Sequence, residues 1–384
     1  MKTSKLVAIA LLALLASISL FSADQKPLKI IIGPEQIIMR DQLQPGMFQS
    51  SQGTLLLHAA QVARSTDGGK TWKPWTPTTR KGLDFIEAVE LKDGTVLGVG
   101  FVPDGPMKDG YLGARLWESH DDMQTFDGPI PAKVYLPDSI SGFSDNGQPD
   151  PGFGFHRTVL EMPNGDLLAT AYGWFKGDAT PSDYQPTMNK TRCFLLRSKD
   201  RGRNWALVST IAADSTVGEE GFGEPVLLRI SSPGQHQGRF IVHMRTGRLT
   251  PTYQTESDDD GKTWTKPHPL PWHGVDPDLI EMRNGIVVAG FGWRTKESLD
   301  WRPKAKATAA TEEHTIGREH GNYLAFSLDQ GTTWTQITQV NHELTTSYVT
   351  VREVAPGKLL LVYDKGWWGR KDCAIAGRFI TVRR

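Results

Sequence analysis

The chain has little cysteine, no excess of charge and few long apolar runs, and each shortage excludes a class of protein. Two cysteines in 384 residues, Cys193 and Cys373, cannot form a disulfide scaffold, so an apolar core must hold the fold. Lysine plus arginine equals aspartate plus glutamate, with 43 of each, so we expect no nucleic-acid partner. The sequence contains no zinc-type His/Cys spacing, phosphate-binding glycine loop or nucleophile elbow, so we expect neither metal nor cofactor.

The one pronounced apolar run lies at the amino terminus. Lys2 and Lys5 precede apolar residues over 6–15, and small residues follow. A membrane span needs about 20 apolar residues, so this run is too short to be one. The order of positive charge, short apolar run and small residues is typical of a secretory signal. We predict a signal peptide over residues 1–23, a secreted or periplasmic protein and no membrane span.

A short turn motif, S-x-D-x-G-x-T-W, occurs five times. In such a turn Asp accepts hydrogen bonds from backbone amides, Gly tolerates a positive φ, and the closing aromatic ring packs under the next strand. Five copies at intervals of several tens of residues indicate a repeated supersecondary unit. The copies lie at 65–72, 119–126, 198–205, 257–264 and 327–334, and the second is degenerate (SHDDMQTF).

A second repeat, an apolar strand, a turn and another apolar strand, occurs six times, and the turn motif follows its first five copies. The sixth copy has a third strand over 374–382, and residues 28–39 can supply its fourth. We therefore predict an all-β fold: a six-bladed β-propeller of four-stranded antiparallel blades, with residues 24–384 forming one domain and the amino-terminal strand joining the last blade. Cys193 and Cys373 fall on different blades and should not bond. The six copies begin near 47, 86, 158, 225, 279 and 348.

This strand order gathers one set of residues at the upper end of the central channel. The set comprises the residues just before each first strand and just after each second strand, and such strand ends are where ligands bind. Its many charged and aromatic side chains suit a hydroxylated or acidic sugar, so we expect a glycan as the partner. Among its members are His156, Arg157, Glu224, Arg245, Asp278, Arg294 and Tyr348.

Six predicted blades with Asp-type turns behind a secretion signal resemble the sialidase superfamily over nearly the whole mature chain. The resemblance implies a tyrosine nucleophile activated by a glutamate, three arginines that bind the substrate carboxylate, and an aspartate acid/base. Glu224 opens the fourth blade, Arg245 ends the adjacent strand, and Tyr348 opens the sixth, as in that family. It therefore implies Tyr348 as nucleophile, Glu224 as its base, and Arg245 and Arg318 as substrate ligands. Arg318 is expected on the third strand of the fifth blade, with Arg294 as its rival.

The sequence departs from the sialidase pattern in two places. No arginine stands in register at the start of the first blade, and only seven residues separate Leu57 from Ser65, where the family carries its acid/base loop. The segment 153–178 has no counterpart in the simple pattern, so His156, Arg157 and Lys176 are candidates for a different pocket. The acid/base stays open among these carboxylates: Asp84, Glu87, Asp276 and Asp278.

The resulting hypothesis is a secreted, exo-acting glycoside hydrolase of sialidase-like type that releases a terminal, acidic sugar. Two alternatives remain open at this point. One is an exo-glycosidase or lyase acting on another glycan, and the other is a carbohydrate-binding propeller without catalysis. The sequence does not predict an oligomeric state.

Overall fold

The computed structural model describes residues 27–75, 83, 85–101, 103–105, 108–300, 316–369 and 371–384. The predicted signal peptide, residues 1–23, lies outside them. The described residues form 27 strands and one short helix, α1 (Lys296–Asp300), which confirms the all-β prediction. No helix in these ranges has the length and apolar character of a membrane span.

Most strands have four to ten residues, as is usual in globular proteins. The first third of the chain forms β1 (Lys29–Arg40), β2 (Gly46–Gln49), β3 (Leu55–His58), β4 (Val62–Ser65), β5 (Lys73–Trp75), β6 (Phe85–Glu90), β7 (Val96–Gly100), β8 (Leu112–Ser119) and β9 (Asp127–Tyr135). The middle third forms β10 (Ser139–Ile140), β11 (Gly142–Phe143), β12 (Pro149–Asp150), β13 (Phe153–Glu161), β14 (Leu167–Phe175), β15 (Arg192–Ser198), β16 (Asn204–Ala212), β17 (Gly223–Arg229), β18 (Phe240–Arg245) and β19 (Pro251–Ser257). The last third forms β20 (His268–His273), β21 (Val275–Glu281), β22 (Val287–Trp293), β23 (Gly321–Ser327), β24 (Thr335–Asn341), β25 (Val349–Ala355), β26 (Lys358–Lys365) and β27 (Ala374–Arg383).

Consecutive strands pair into four-stranded antiparallel groups. β2–β5, β17–β20 and β21–β24 are separate sheets, while β6–β9 and β13–β16 join at their outer edges through a short parallel pairing of β9 with β16. The sequence does not predict this junction. The last group consists of β25, β26, β27 and β1, and β1 pairs with β27 from Lys29↔Arg383 to Arg40↔Ala374. This is the pairing predicted for the two ends of the described chain.

The groups pack through their inner strands and their faces. The first strands β2, β6, β13, β17, β21 and β25 contact one another in that order, and β25 also contacts β2, in the radial arrangement of a propeller. Apolar clusters fill the space between neighbouring groups; one joins Leu97 and Leu116 to Phe155 and Trp205. Each fully buried side chain of this kind contributes about 1.5–3 kcal/mol. Cys193 and Cys373 are both buried and no disulfide joins them, in agreement with the prediction.

The five Asp-type turns share one pattern of hydrogen bonds, and each links the third strand of a group to its fourth. In the first turn the Ser65 Oγ accepts from the amide of Gly69 at 2.9 Å, and the Asp67 Oδ1 accepts from the amide of Thr71 at 3.0 Å. The degenerate copy keeps this pattern, with Met123 in place of glycine at a φ of 62° and its amide 2.9 Å from the Ser119 Oγ. The motif is therefore a structural turn, as predicted.

Candidate active site

A cavity of about 490 Å³ lies at the upper ends of the inner strands. The beginnings of β13, β17 and β21 and the ends of β3, β14 and β18 contribute its walls. Its position agrees with the end of the channel where the sequence places a ligand. The charged and aromatic residues that line it include His58, Asp145, Asp150, His156, Arg157, Tyr172, Trp174, Glu220, Glu224, Arg245, Asp276 and Tyr348.

Three inner strands reach the cavity through backbone irregularities. Arg157, Glu224 and Asp276 have φ angles of 54°, 44° and 49°, and each lies inside a register shift of its strand. Positive φ is uncommon outside glycine. Bulges redirect side chains, and such strained residues cluster at functional sites. The irregular backbone is therefore what aims these three charged side chains into one buried place.

Arg245 holds two buried carboxylates together. Its Nη1 donates to the Glu224 Oε1 at 2.8 Å, and its Nη2 donates to the Glu220 Oε1 at 2.7 Å. Tyr184 also donates its hydroxyl to the Glu220 Oε1. Charge-assisted hydrogen bonds of this kind are stronger than neutral ones. Burial lowers the pKa of Arg245, but Glu220 and Glu224 together raise it well above its usual value.

Glu224 is also the partner of Tyr348. The Tyr348 hydroxyl lies 3.2 Å from the Glu224 Oε1, and the amide of Asp276 donates to the Glu224 Oε2 at 2.9 Å. Burial raises the pKa of Glu224, but Arg245, then His156 and Arg294, outweigh it and lower that pKa to about 2.

Burial and the Glu224 charge raise the pKa of the Tyr348 phenol well above its usual value, against the opposing effect of Arg245 and Arg294. At neutral pH the carboxylate is therefore ionised and the phenol is neutral. The phenol can lose its proton only while its oxygen forms a new bond.

A second buried network stands beside the first. The Arg157 Nε donates to the Asp276 Oδ1 at 2.9 Å, its Nη2 donates to the Asp276 Oδ2, and the same Nη2 reaches the Val349 carbonyl at 2.8 Å. His156 Nε2 lies 3.4 Å from the Asp276 Oδ1, and its Nδ1 lies 3.3 Å from the Pro225 carbonyl. The cavity therefore contains His156 and Arg157, as predicted, but both are engaged by Asp276.

Three predicted site residues lie apart from the cavity lining. The Asp278 Oδ2 accepts from Thr350 Oγ1, from the Val351 amide and from Arg352, so Asp278 ties β21 to β25. Arg294 is buried near Glu224, and its guanidinium donates to the Thr346 carbonyl and stacks over Trp368.

The structure contradicts the predicted position of Arg318. The prediction that it lies on the third strand of the fifth blade is wrong, because that strand, β23, begins at Gly321. Arg318 stands in an exposed turn before it and does not line the cavity. Of the arginines implied by the resemblance, only Arg245 lines the cavity.

The four candidates for the acid/base residue differ in their position relative to the cavity. Asp276 lines the cavity and Asp278 does not, while Asp84 lies outside the described residues and the side chain of Glu87 is not described. Sequence reasoning missed Glu220, which lines the cavity from a loop, and Asp150, which lines it from the end of the short strand β12. The acidic pair at 219–220, just before Glu224, is a signal for the first. The turn-rich segment around Asp150 contains no sequence signal that marks it as a site residue.

The described lining residues carry more negative than positive charge. Five are carboxylates and two are arginines, and both arginines are paired with carboxylates. No group of three or more His, Cys, Asp or Glu side chains within the described ranges is arranged to hold a metal ion. The site can therefore offer ionised and protonated carboxyl groups, a phenol and aromatic faces to a ligand.

Comparison with known proteins agrees with this fold. The family profile of the BNR/Asp-box repeat matches residues 63–74, the first of the five turns. No curated protein sequence matches the chain.

Several solved structures resemble it. A protein of unknown function from Dyadobacter fermentans is 18% identical with a TM-score of 0.66, over 92% of this chain and 99% of that one. The GH93 α-L-arabinofuranosidase of Fusarium graminearum is 14% identical with a TM-score of 0.59, over 92% and 98%.

A Hadza microbial sialidase is 16% identical with a TM-score of 0.56, over 88% of this chain and 65% of that one. These likenesses concern the fold, and two of these three proteins are glycoside hydrolases by name. In its repeated turn and in its fold, the chain therefore resembles the sialidase-like BNR/Asp-box superfamily.

Proposed function

We propose that this protein is a secreted glycoside hydrolase that removes a terminal sugar, with Tyr348 as nucleophile and Glu224 as its base. Residues 24–384 would form one closed six-bladed propeller around the site, and residues 1–23 would be the signal peptide. The observation that carries the proposal is the contact of 3.2 Å between the Tyr348 hydroxyl and the Glu224 carboxylate inside the cavity. The glycoside hydrolases among the structural neighbours support the same class of reaction.

The proposed reaction has two steps. In the first, the Tyr348 oxygen attacks the anomeric carbon while its proton passes to the Glu224 Oε1, and the leaving oxygen departs with a proton from an acid in the site. In the second, water releases the sugar from the tyrosine and the protons return. Arg245 supports the first step because its positive charge lowers the pKa of the Tyr348 phenol and holds Glu224 in place.

The charge of the cavity lining indicates whether the bound sugar is acidic or neutral. The sialidase resemblance implies an acidic sugar, held by arginines that are free to bind its carboxylate. Here both lining arginines are paired and carboxylates outnumber them. This observation favours the second candidate, an exo-glycosidase for a neutral sugar, because an anionic sugar would be repelled at close range.

The test is the hydrolysis of 4-nitrophenyl glycosides by the purified protein and by Tyr348→Phe. The panel includes an α-sialoside and an α-L-arabinofuranoside. We expect turnover of a neutral glycoside, and a loss of at least about 10³-fold in kcat for Tyr348→Phe with unchanged thermal unfolding.

The matched control is Tyr323→Phe, because the Tyr323 hydroxyl donates to the Glu319 carbonyl outside the cavity. This variant should keep its activity. Sialoside turnover would support the acidic-sugar hypothesis instead. Binding of glycans without release would leave a carbohydrate-binding propeller, and full activity in Tyr348→Phe would exclude this nucleophile.

A further inference from the structure

The proposed reaction lacks a proton donor for the leaving oxygen, and the predicted candidates that the structure describes are engaged elsewhere. Arg157 binds both oxygens of Asp276. Asp278 is bound by Arg352 and the Val351 amide away from the cavity lining. Carboxylate oxygens that accept strong hydrogen bonds from a guanidinium are not free to approach a leaving oxygen. The donor must be a carboxyl group without a cationic partner.

Asp150 meets that condition. It ends β12, lines the cavity and is half-buried. Its Oδ1 accepts from the amide of Gly152 at 3.0 Å. In the described part of the chain, its side chain makes no ion pair with a cationic group. A carboxyl group with one satisfied oxygen can turn the other toward a ligand in the cavity.

Asp150 lies in the segment 139–152, which is held against β14 at both of its ends. Before it, Ser139 and Ile140 of β10 pair with Phe175 and Trp174 of β14. After it, the Gly152 carbonyl accepts from the amide of Trp174 at 3.2 Å. Catalytic groups need such rigid support to stay within about 0.5 Å of their working positions.

The same segment packs on an aromatic wall of the cavity. Gly142 of β11 lies so close to the Trp174 ring that an added Cβ would stand 2.5 Å from it. Only glycine permits this approach, and it lets the hairpin of β11 and β12 lie against the cavity wall. The Trp174 indole nitrogen is itself fixed, because it donates to the Asn189 carbonyl at 2.7 Å.

Tyr172 connects Asp150 to the reacting pair. Burial raises the pKa of the Tyr172 phenol, and the charges of Glu224, Tyr348 and Asp150 raise it further. Asp150, Tyr172, Glu224 and Tyr348 all line the same cavity. Burial also raises the pKa of Asp150 and outweighs the hydrogen bond from Gly152, which lowers it. Asp150 therefore keeps its proton to a higher pH than an ordinary aspartate does.

We propose that Asp150 is the acid/base residue of this site. This inference rests on the proposed glycoside hydrolysis. As the Tyr348 oxygen bonds to the anomeric carbon, the bond from that carbon to the leaving oxygen breaks, and the proton of Asp150 passes to that oxygen. In the second step the Asp150 carboxylate takes a proton from water, and the hydroxide oxygen replaces the tyrosine oxygen on the sugar.

The experiment compares Asp150→Asn with the wild type on phenyl and 2,4-dinitrophenyl α-L-arabinofuranosides and α-sialosides. Dinitrophenolate leaves without a proton, whereas phenolate needs one. We expect Asp150→Asn to lose about 10²–10⁴-fold in kcat/KM on the phenyl glycoside and under about tenfold on the dinitrophenyl glycoside. The alkaline limb of the kcat/KM profile should also disappear, because the donor that titrates there is gone.

Asp138→Asn is the matched control, since Asp138 is an exposed carboxylate near the start of the same segment and does not line the cavity. It should behave as wild type on both substrates. A second variant, Asp150→Ala with azide, should regain release of dinitrophenol and yield a glycosyl azide, because azide attacks without losing a proton.

The outcomes separate the two proposals. An equal loss on phenyl and dinitrophenyl substrates, or an unchanged pH profile, would overturn the role of Asp150 while leaving the hydrolase intact. If the wild type cleaves none of these substrates nor the 4-nitrophenyl panel, both proposals fall.

Discussion

In each of the five Asp-type turns two consecutive residues have positive φ angles, the second of them a glycine such as Gly202 in four turns, and the same hydrogen bonds recur from turn to turn. At the cavity, positive φ angles fall on Arg157, Glu224 and Asp276, and each side chain has a different set of partners. The first region places glycine, which adopts this conformation without strain, at one of the two positions in four of its five turns. The second holds charged residues in a costly conformation, which persists only because the surrounding strands enforce it.

The carboxylates of the two regions differ in the same way. Those of the turns are exposed and accept hydrogen bonds from amides and hydroxyls, as Asp259 does from Thr263. Three of the five in the cavity are buried and paired with arginine: Glu220 and Glu224 with Arg245, and Asp276 with Arg157. Repeated local bonds therefore define the turns, whereas contacts between distant parts of the chain define the site. Substitutions in both regions test this comparison.

The largest effect should come from Arg245→Met. Removing this guanidinium leaves Glu220 and Glu224 buried without their common cation. Breaking a buried pair in this way costs about 3–5 kcal/mol, so we expect a loss of that size in the free energy of unfolding. Glycosidase activity should disappear as well, since the pKa of Glu224 would rise. Urea unfolding and the aryl glycoside assay measure the two effects.

Arg239→Met makes the same substitution beside a turn. Its guanidinium pairs with Asp258, whose side chain is 65% exposed. Exposed ion pairs contribute about 0–1 kcal/mol, so this variant should lose little stability and no activity. Equal losses in Arg239→Met and Arg245→Met would show that the cavity pair is no more than a surface contact.

A smaller effect is expected for Ser198→Ala in the third turn. The buried Ser198 Oγ accepts from the Gly202 amide at 2.8 Å and donates to Asp200, so its loss leaves that amide unsatisfied. The cost is about 1–3 kcal/mol, without a change in kcat. Ser119→Ala in the degenerate turn should cost the same, because its bonds are the same. A negligible loss there, measured by urea unfolding, would mean that the degenerate copy no longer works as a turn.

The smallest effect concerns acid. Hydrogen bonds from Thr71 lower the pKa of Asp67 to about 2, and those from Thr263 do the same for Asp259, against an ordinary value of 3.8. A lowered pKa in the folded state stabilises the protein above the unfolded value and loses that effect as the pH falls toward 2. The double variant Asp67→Asn, Asp259→Asn should therefore flatten the fall of the urea midpoint between pH 4 and 2.

Two cavity carboxyl groups, Asp150 and Glu220, have pKa values shifted in the opposite direction. Burial raises the pKa of Asp150 and of Glu220, so their protonation favours the folded state as the pH falls. Asp150→Asn should therefore steepen the acid loss slightly rather than flatten it. The same slope in both variants would remove the electrostatic distinction between the two regions.

Local sequence patterns predicted what local bonds define. The turns, the strand groups and the pairing of β1 with β27 follow from spacing and alternation. The three residues that the resemblance implies, Tyr348, Glu224 and Arg245, line one cavity. The turn motif could even be identified where Met123 replaces glycine, because Ser119 and the aspartate two residues later keep their places.

Local sequence patterns do not predict which residues from distant parts of the chain contact each other. Arg318 was misplaced because nothing in the sequence marks where β23 begins, three residues after it. Asp150 and Glu220 were missed because their roles depend on loops brought against β14 and β18, not on a strand period. The pairing of Asp276 with Arg157, 119 positions away, was equally invisible.

The pairing of β1 with β27 also constrains how the molecule can be made. One hydrogen bond of this seam joins Arg378 and Gly33, which are 345 positions apart. During synthesis β1 emerges well before β27, so an unpaired strand edge stays open until β27 has been made. A chaperone that shields this edge, or export before folding, would protect the nascent protein from sticking to its neighbours.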